Sequence, residues 1–128
     1  MIQPQKLNKL LIGEPEMRKF KENAITIRDW SFKALPAATG EMQILKLEEE
    51  LKEVRRAENT DRWLGEMADV YVVACILWER FHRQIGKMTL SWLEMLPEYG
   101  KIRDEVDEKM KVNRLRQWHI NENGVYHH

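Results

Sequence analysis

The chain has few of the residues that interrupt helices, with four prolines and six glycines in 128 residues. It has a single cysteine, so no internal disulfide can form, which is typical of a protein from a reducing compartment. Its 21 basic and 21 acidic side chains cancel and are interleaved, which argues against binding to nucleic acid or to an anionic membrane. No apolar stretch approaches the ~20 residues of a membrane span, and residues 1–10 lack the apolar core of a signal peptide. We therefore expect a cytoplasmic protein.

What the chain does contain is apolar residues at helical spacing, and no alternating run that would indicate a sheet. The pattern predicts one all-α domain over residues 1–128, with four to five helices, an N-terminal arm at residues 1–14 and a tail at residues 118–128. The predicted helices are Pro15 to about Lys33, Glu41 to Ala57, Asp61 to near Gly86, a short element from a capping box at Ser91–Glu94, and Pro97 to about Gln117.

Four carboxylates occur as two pairs at helix-turn spacing. Glu50 and Glu53 lie three residues apart on one predicted helix, and Glu66 and Asp69 lie three apart on the next. Residues three apart are neighbours on a helix surface, so each pair can present two carboxylates side by side. Four such groups brought face to face form the oxygen-only site that Mg²⁺ or Mn²⁺ prefers. Glu49 points further outward, and we assign it a supporting role as a base or in orienting water.

Asp69 is the strongest of these signals. It lies in residues 67–78, an almost wholly apolar run that predicts a helix buried on most sides. A buried carboxylate without a partner is costly or stays protonated, so a cation should meet it, and a metal ion is the simplest candidate. The Glu50 and Glu53 pair taken alone would indicate only a solvated charged face.

The last predicted helix ends in a basic segment. Lys109, Asn113 and Arg116 follow one another at i, i+4 and i+7, so they share a face, and Arg114 lies beside them. Arginine binds phosphate oxygens in pairs and lysine binds them as a point charge, whereas a basic last turn can also simply complement the helix dipole. Trp30 offers a face on which a nucleobase can stack, and core packing is its alternative role.

These motifs together resemble the all-α nucleoside triphosphate pyrophosphohydrolases, the MazG-like group with its relatives the dimeric dUTPases and dCTPases. The resemblance covers roughly residues 25–118 and rests on three stretches, which are Glu49-Glu50-x-x-Glu53 followed by Glu66-x-x-Asp69, Arg28-Asp29-Trp30, and the K-M-x-x-N-R-x-R segment at residues 109–116. It implies a MazG-like helical bundle that assembles as a dimer or tetramer. It also implies Mg²⁺ (or Mn²⁺ in its place) on Glu50, Glu53, Glu66 and Asp69, phosphates on Lys109, Arg114 and Arg116, and a nucleoside near Asn113 and Trp30.

The implied reaction is hydrolysis of a deoxynucleoside triphosphate between its α- and β-phosphates, which gives the monophosphate and pyrophosphate. The chain has no Walker-type glycine loop to hold a terminal phosphate. Its tail, RQWHINENGVYHH, resembles the ending of the phage-encoded dATP/dGTP diphosphohydrolases, which implies purine substrates and the host cytoplasm. Pyrimidine substrates, as for the dUTPases and dCTPases, are the alternative.

Other kinds of function find less support in the sequence. A di-iron bundle needs two Glu-x-x-His motifs, and only Glu79–His82 has that form. A zinc hydrolase is not supported, because His82 and His119 are isolated and no HExxH motif is present. A non-enzymatic helical interaction module stays open as an alternative, and it would bind no divalent metal.

Overall fold

The computed structural model describes residues 20–128, which form five α-helices and a two-stranded hairpin. The elements are α1 (Ala24–Ala34), α2 (Gly40–Arg56), α3 (Trp63–Arg80), α4 (Arg83–Glu94), α5 (Tyr99–Asn113), β1 (His119–Ile120) and β2 (Tyr126–His127). The strands are antiparallel. The prediction of an all-α protein is confirmed, and the predicted arm at residues 1–14 lies outside the described residues. None of the helices in residues 20–128 combines the length and apolar character needed to cross a membrane.

Helix α3 is the centre of the core. Every residue from Met67 to Leu77 is buried except Asp69, and α1, α2, α4 and α5 all pack against this helix. The apolar run in the sequence therefore predicted the core correctly. Burial raises the pKa of the Cys75 thiol to about 12, so the thiol stays protonated and unreactive.

The first helix begins later than its sequence predicted. Asn23 caps α1, because its side chain accepts hydrogen bonds from the backbone N–H groups of Ile25 and Thr26, and the Thr26 hydroxyl accepts one from Asn23 N–H. The predicted helix from Pro15 is wrong over residues 20–23, which are not helical. The Asp107 carboxylate on α5 accepts hydrogen bonds from the backbone N–H groups of Lys21 and Glu22, which ties this segment to α5 instead.

The buried helix also ends earlier than predicted. It stops at Arg80, and His82 caps α4 by accepting a hydrogen bond from Ile85 N–H at its Nδ1. Gly86 lies in α4 rather than at the end of α3, and a Cβ there would lie 2.6 Å from Trp78 Cα. Glycine at this position therefore allows α4 to fold back closely against α3. Ser91–Glu94, predicted to start an element, lies in the last turn of α4.

The tail after α5 folds into the hairpin and returns to the body of the protein. Its turn is made by Asn121, whose side chain accepts from two backbone N–H groups, and by Gly124 at a φ of 75°. The Tyr126 hydroxyl accepts a hydrogen bond of 2.9 Å from Ala37 N–H, in the connection between α1 and α2. The tail thus reaches the same side of the molecule as Trp30.

Candidate functional site

Three of the four predicted metal ligands lie together between α2 and α3. One carboxylate oxygen each from Glu50, Glu66 and Asp69 lies within 4.8 Å of the others. Glu50 lies on α2, and Glu66 and Asp69 lie one helical turn apart on α3, as their spacing predicted. Three hard oxygen donors at this separation can share one divalent cation. We call these three residues the acidic trio.

Three negative charges in the acidic trio are energetically unfavourable, because the carboxylates are partly buried and repel one another. Burial, and then the charge of Asp69, raises the pKa of the Glu50 carboxyl to about 7. Burial is also the main cause that raises the pKa values of Glu66 and Asp69. Two ammonium groups reduce the repulsion, since Lys46 Nζ lies 3.3 Å from Glu50 Oε1 and Lys109 Nζ lies 3.3 Å from Asp69 Oδ2. A divalent cation among the three carboxylates would remove the repulsion directly, so the donor set fits a metal ion.

Glu53 and Glu49 lie outside the acidic trio. Glu53 forms an ion pair with Arg56, and its side chain is 44% exposed. Its charge still contributes to the raised pKa of Glu66, so it lies close to the site. Glu49 lies at the surface, 3.8 Å from Lys46 Nζ. Their assignments, Glu53 as a ligand and Glu49 as a base or water-orienting group, stay predictions.

A cavity of about 220 Å³ opens beside the acidic trio. Glu50 and Asp69 form its acidic end, and we call the wall made by Trp30, Trp118 and Tyr126 its aromatic end. Between them the cavity is lined by Lys46, Lys109, Asn113 and Arg116, with Gln43 on the α2 side. The structure therefore brings Trp30, Lys109, Asn113 and Arg116, predicted from separate parts of the sequence, to the same cavity as two of the predicted metal ligands.

The end of α5 positions the polar groups of the cavity. Asn113 is buried in the last turn, and its Oδ1 accepts a hydrogen bond of 3.4 Å from Arg116 Nη1. The backbone carbonyl of Asn113 accepts one of 3.2 Å from the indole N–H of Trp118. Asn113 thus positions both the Arg116 guanidinium and the Trp118 ring, whereas the resemblance implied only that Asn113 lies near the nucleoside.

Arg114 differs from its neighbours. Its guanidinium binds both carboxylate oxygens of Glu22, with Nη2 at 2.7 Å from Oε1 and Nε at 3.1 Å from Oε2. It lines a neighbouring surface pocket with Asp29 and Trp30 rather than the cavity beside the acidic trio. Arg114 therefore fixes the segment before α1 against the end of α5, and its predicted role in substrate binding stays a prediction.

Several residues of the cavity were not predicted from the sequence. Trp118 stands edge-on to Trp30, with ring centroids 5.7 Å apart, and His128 stands edge-on to Trp118 at 5.3 Å. Gln43 and Lys46 could have been found, because they precede Glu50 by seven and four residues on the same helix face. Tyr126 and the histidines carried no comparable signal, since the tail has no periodic pattern.

No protein-family model matches this chain, and no match is found among curated proteins or solved structures.

Proposed function

We propose that the protein is a metal-dependent pyrophosphohydrolase that converts a deoxynucleoside triphosphate into the monophosphate and pyrophosphate. The observation that carries this proposal is that two carboxylates of the acidic trio, three cationic side chains and an aromatic wall line one cavity. A nucleoside triphosphate has matching parts, namely a polyanion that needs a metal ion and cationic partners, and a flat base that stacks on aromatic rings.

Glu50, Glu66 and Asp69 would hold Mg²⁺, or Mn²⁺ in its place, and Glu53 would complete the set when its ion pair with Arg56 opens. The metal supplies charge neutralisation at the phosphates and an activated water. Glu49, on the outward-facing side of α2, orients that water or accepts its proton. The raised pKa of Glu50 supports this part of the proposal, because such a cluster of carboxylates is stabilised by a cation.

Lys46, Lys109 and Arg116 bind the phosphate oxygens. Both lysines pair with carboxylates of the acidic trio, and a metal ion on those carboxylates would leave the ammonium groups free to bind the triphosphate. Attack at the α-phosphate releases the β- and γ-phosphates together as pyrophosphate. Asn113 and Trp30 lie on the nucleoside side of the cavity. The resemblance of the tail favours dATP and dGTP, and dUTP and dCTP are the competing substrates.

The test is hydrolysis of a panel of deoxynucleoside triphosphates in ¹⁸O-labelled water with Mg²⁺. We expect the label in the monophosphate and unlabelled pyrophosphate as the second product. Orthophosphate as the first product would contradict the proposal. If no substrate is turned over and Mg²⁺ produces no thermal shift, the protein is better described as a non-enzymatic interaction module.

Assembly into a dimer or tetramer belongs to the same proposal. Leu45 and Leu51 on α2 are exposed apolar side chains, and a contact through the helices that carry the carboxylates would cover them. Light scattering at micromolar concentration should give at least a dimer, and a monomer would contradict this part of the proposal.

A further inference from the structure

Gln43 is a buried polar side chain with no protein partner in the part of the chain that the structure describes. Its exposed fraction is 2%, and its carboxamide makes no hydrogen bond to any of residues 20–128. The carboxamide oxygen and nitrogen are not sealed from solvent, because Arg103 Nε is the one fully buried polar side-chain atom without a hydrogen bond in residues 20–128. Most side chains as buried as Gln43 nevertheless have a hydrogen-bond partner. Gln43 lines the cavity beside the acidic trio, so a molecule bound there can supply the missing partner.

The position of Gln43 on α2 places it away from the metal ligands. Gln43, Lys46 and Glu50 lie on one face of the helix, and seven residues of α-helix separate Gln43 from Glu50 by about 10 Å along the axis. This distance is comparable to the reach of a nucleotide from its base to its first phosphate. A nucleotide whose phosphates lie near Lys46 and the acidic trio would therefore bring its base toward Gln43.

The aromatic end completes the surroundings of such a base. Trp30 and Trp118 are held in a fixed edge-on arrangement, and the Asn113 carbonyl anchors the Trp118 indole. Their rings supply the apolar contact that any base can use. Stacking does not distinguish one base from another, whereas the carboxamide of Gln43 can, because it presents one acceptor beside one donor.

We propose that the Gln43 carboxamide pairs with the N7 edge of the nucleobase, and that its preferred partner is adenine. This inference rests on the proposed function, since it names the base that the same cavity selects. On this edge adenine presents its N6 amino donor beside the N7 acceptor, which a carboxamide matches with two hydrogen bonds. On the same edge guanine presents two acceptors and each pyrimidine presents a single donor or acceptor, so only adenine matches the carboxamide with two hydrogen bonds.

The experiment measures equilibrium binding of the four deoxynucleoside monophosphates to the full chain, with Mg²⁺ present and without turnover. Wild type should prefer dAMP. Gln43→Met, which keeps the length of the side chain and removes its hydrogen bonds, should bind dAMP about 10-fold more weakly and bring the four nucleotides to similar affinity.

A dAMP analogue without the 6-amino group should bind wild type more weakly and bind Gln43→Met as well as dAMP does. Gln84→Met, at an exposed position of α4, is the matched control and should resemble wild type.

Several results would overturn the inference. They are an equal loss for all four nucleotides, a loss shared by Gln84→Met, unchanged binding by Gln43→Met, or no binding of any monophosphate by wild type. Thermal melting adds a second readout, since removal of an amide that has no protein partner should leave the protein at least as stable. A clear loss of stability would instead make Gln43 a structural residue and would contradict the inference.

The base-reading inference and the proposed reaction can fail separately. If dAMP binding depends on Gln43 but no triphosphate is hydrolysed, the reaction is wrong and the inference stands. If triphosphates are hydrolysed and Gln43→Met lowers kcat/KM equally for every base, the reaction stands and the inference is wrong.

Discussion

The acidic end and the aromatic end of the cavity are built in different ways. The acidic trio comes from two consecutive helices, with all three residues inside the stretch from Glu50 to Asp69. The aromatic end joins Trp30 of α1 to Trp118 and Tyr126 of the tail, and the hydrogen bond that fastens it links residues 89 positions apart. The acidic end thus follows from the spacing of residues on two adjacent helices. The aromatic end forms only when segments that are distant in the sequence come into contact.

The acidic end and the aromatic end also differ in their effect on the stability of the metal-free protein. The acidic end holds charges that repel one another and that burial makes more costly, as the raised pKa values indicate. The aromatic end is a contact between rings that contributes to packing. Groups that are unfavourable for folding but favourable for binding a cation are typical of a functional site. Substitutions at the acidic end should therefore change activity more than stability, and those at the aromatic end should change both.

The largest effect is expected from Asp69→Asn. This substitution removes a metal ligand and the partner of Lys109, so we expect hydrolysis to fall by more than about 100-fold, the upper range for groups that only orient a ligand. The metal-free protein should melt at the same temperature or higher, because a buried charge has been removed. Activity is measured by release of pyrophosphate and stability by thermal unfolding. Asp61→Asn, at an exposed position before α3, is the control, and near-normal hydrolysis by Asp69→Asn would refute the site.

The next comparison is between Glu50 and Glu53, the two predicted metal ligands on α2. Glu50→Gln should lower kcat/KM by about 100-fold and Glu53→Gln by about 10-fold or less, because Glu50 belongs to the acidic trio and Glu53 must first leave Arg56. Titration with Mg²⁺ should show the same order in metal affinity. An equal loss in both variants would mean that the fourth carboxylate is as much a ligand as the other three.

The acidic end could be predicted from the sequence, because the spacing of residues along a helix is a local property. Asp69 inside an apolar run and the i, i+3 pairs were enough to place Glu50, Glu66 and Asp69 together, and the i, i+4, i+7 pattern placed Lys109, Asn113 and Arg116. The break after Arg80 was not predicted, because Phe81 and His82 carry no proline or glycine signal; His82 caps the next helix, and Gly86 lies in tight contact with Trp78. Trp118 and Tyr126 were not predicted as cavity residues, because the residues they contact, Trp30 and Ala37, lie about ninety positions earlier in the sequence.

A pH series tests the electrostatic cost of the acidic end. The pKa of Glu50 is about 7 in the folded protein against 4.5 for an ordinary glutamate, so between these values the folded chain keeps a proton that the unfolded chain has released. Stability of the metal-free protein should therefore fall as the pH rises from 4.5 toward 7 and then level off, by about 3 kcal/mol for this group. Urea unfolding measures this fall. Glu50→Gln should remove the share of this group and leave a smaller fall, since Glu66 and Asp69 also have raised pKa values. Exposed Glu48→Gln should keep the whole fall, and parallel curves for wild type and Glu50→Gln would contradict the prediction.

The smallest effect is expected from Tyr126→Phe at the aromatic end. The change removes the hydroxyl that accepts the Ala37 N–H hydrogen bond, and we expect a loss of about 1 kcal/mol in the free energy of unfolding. Hydrolysis should change mainly through KM, because the wall of the cavity loosens while the acidic trio is untouched. Tyr99→Phe, whose hydroxyl accepts from Arg103 on the same helix, is a control that should leave KM unchanged. A loss confined to kcat would show that Tyr126 acts on the chemistry instead.

The return of the tail to the α1–α2 connection has a consequence for the order in which the molecule forms. Contacts between distant residues form after local ones, because a long loop must first be closed. The helices that carry the carboxylates can therefore be complete while the hairpin is still detached, and native-state hydrogen exchange should show the Asn121 amide opening before those of α3. A base stacked against Trp30 and Trp118 would contact a segment that forms early and the segment that forms last, so substrate binding should stabilise the docked tail.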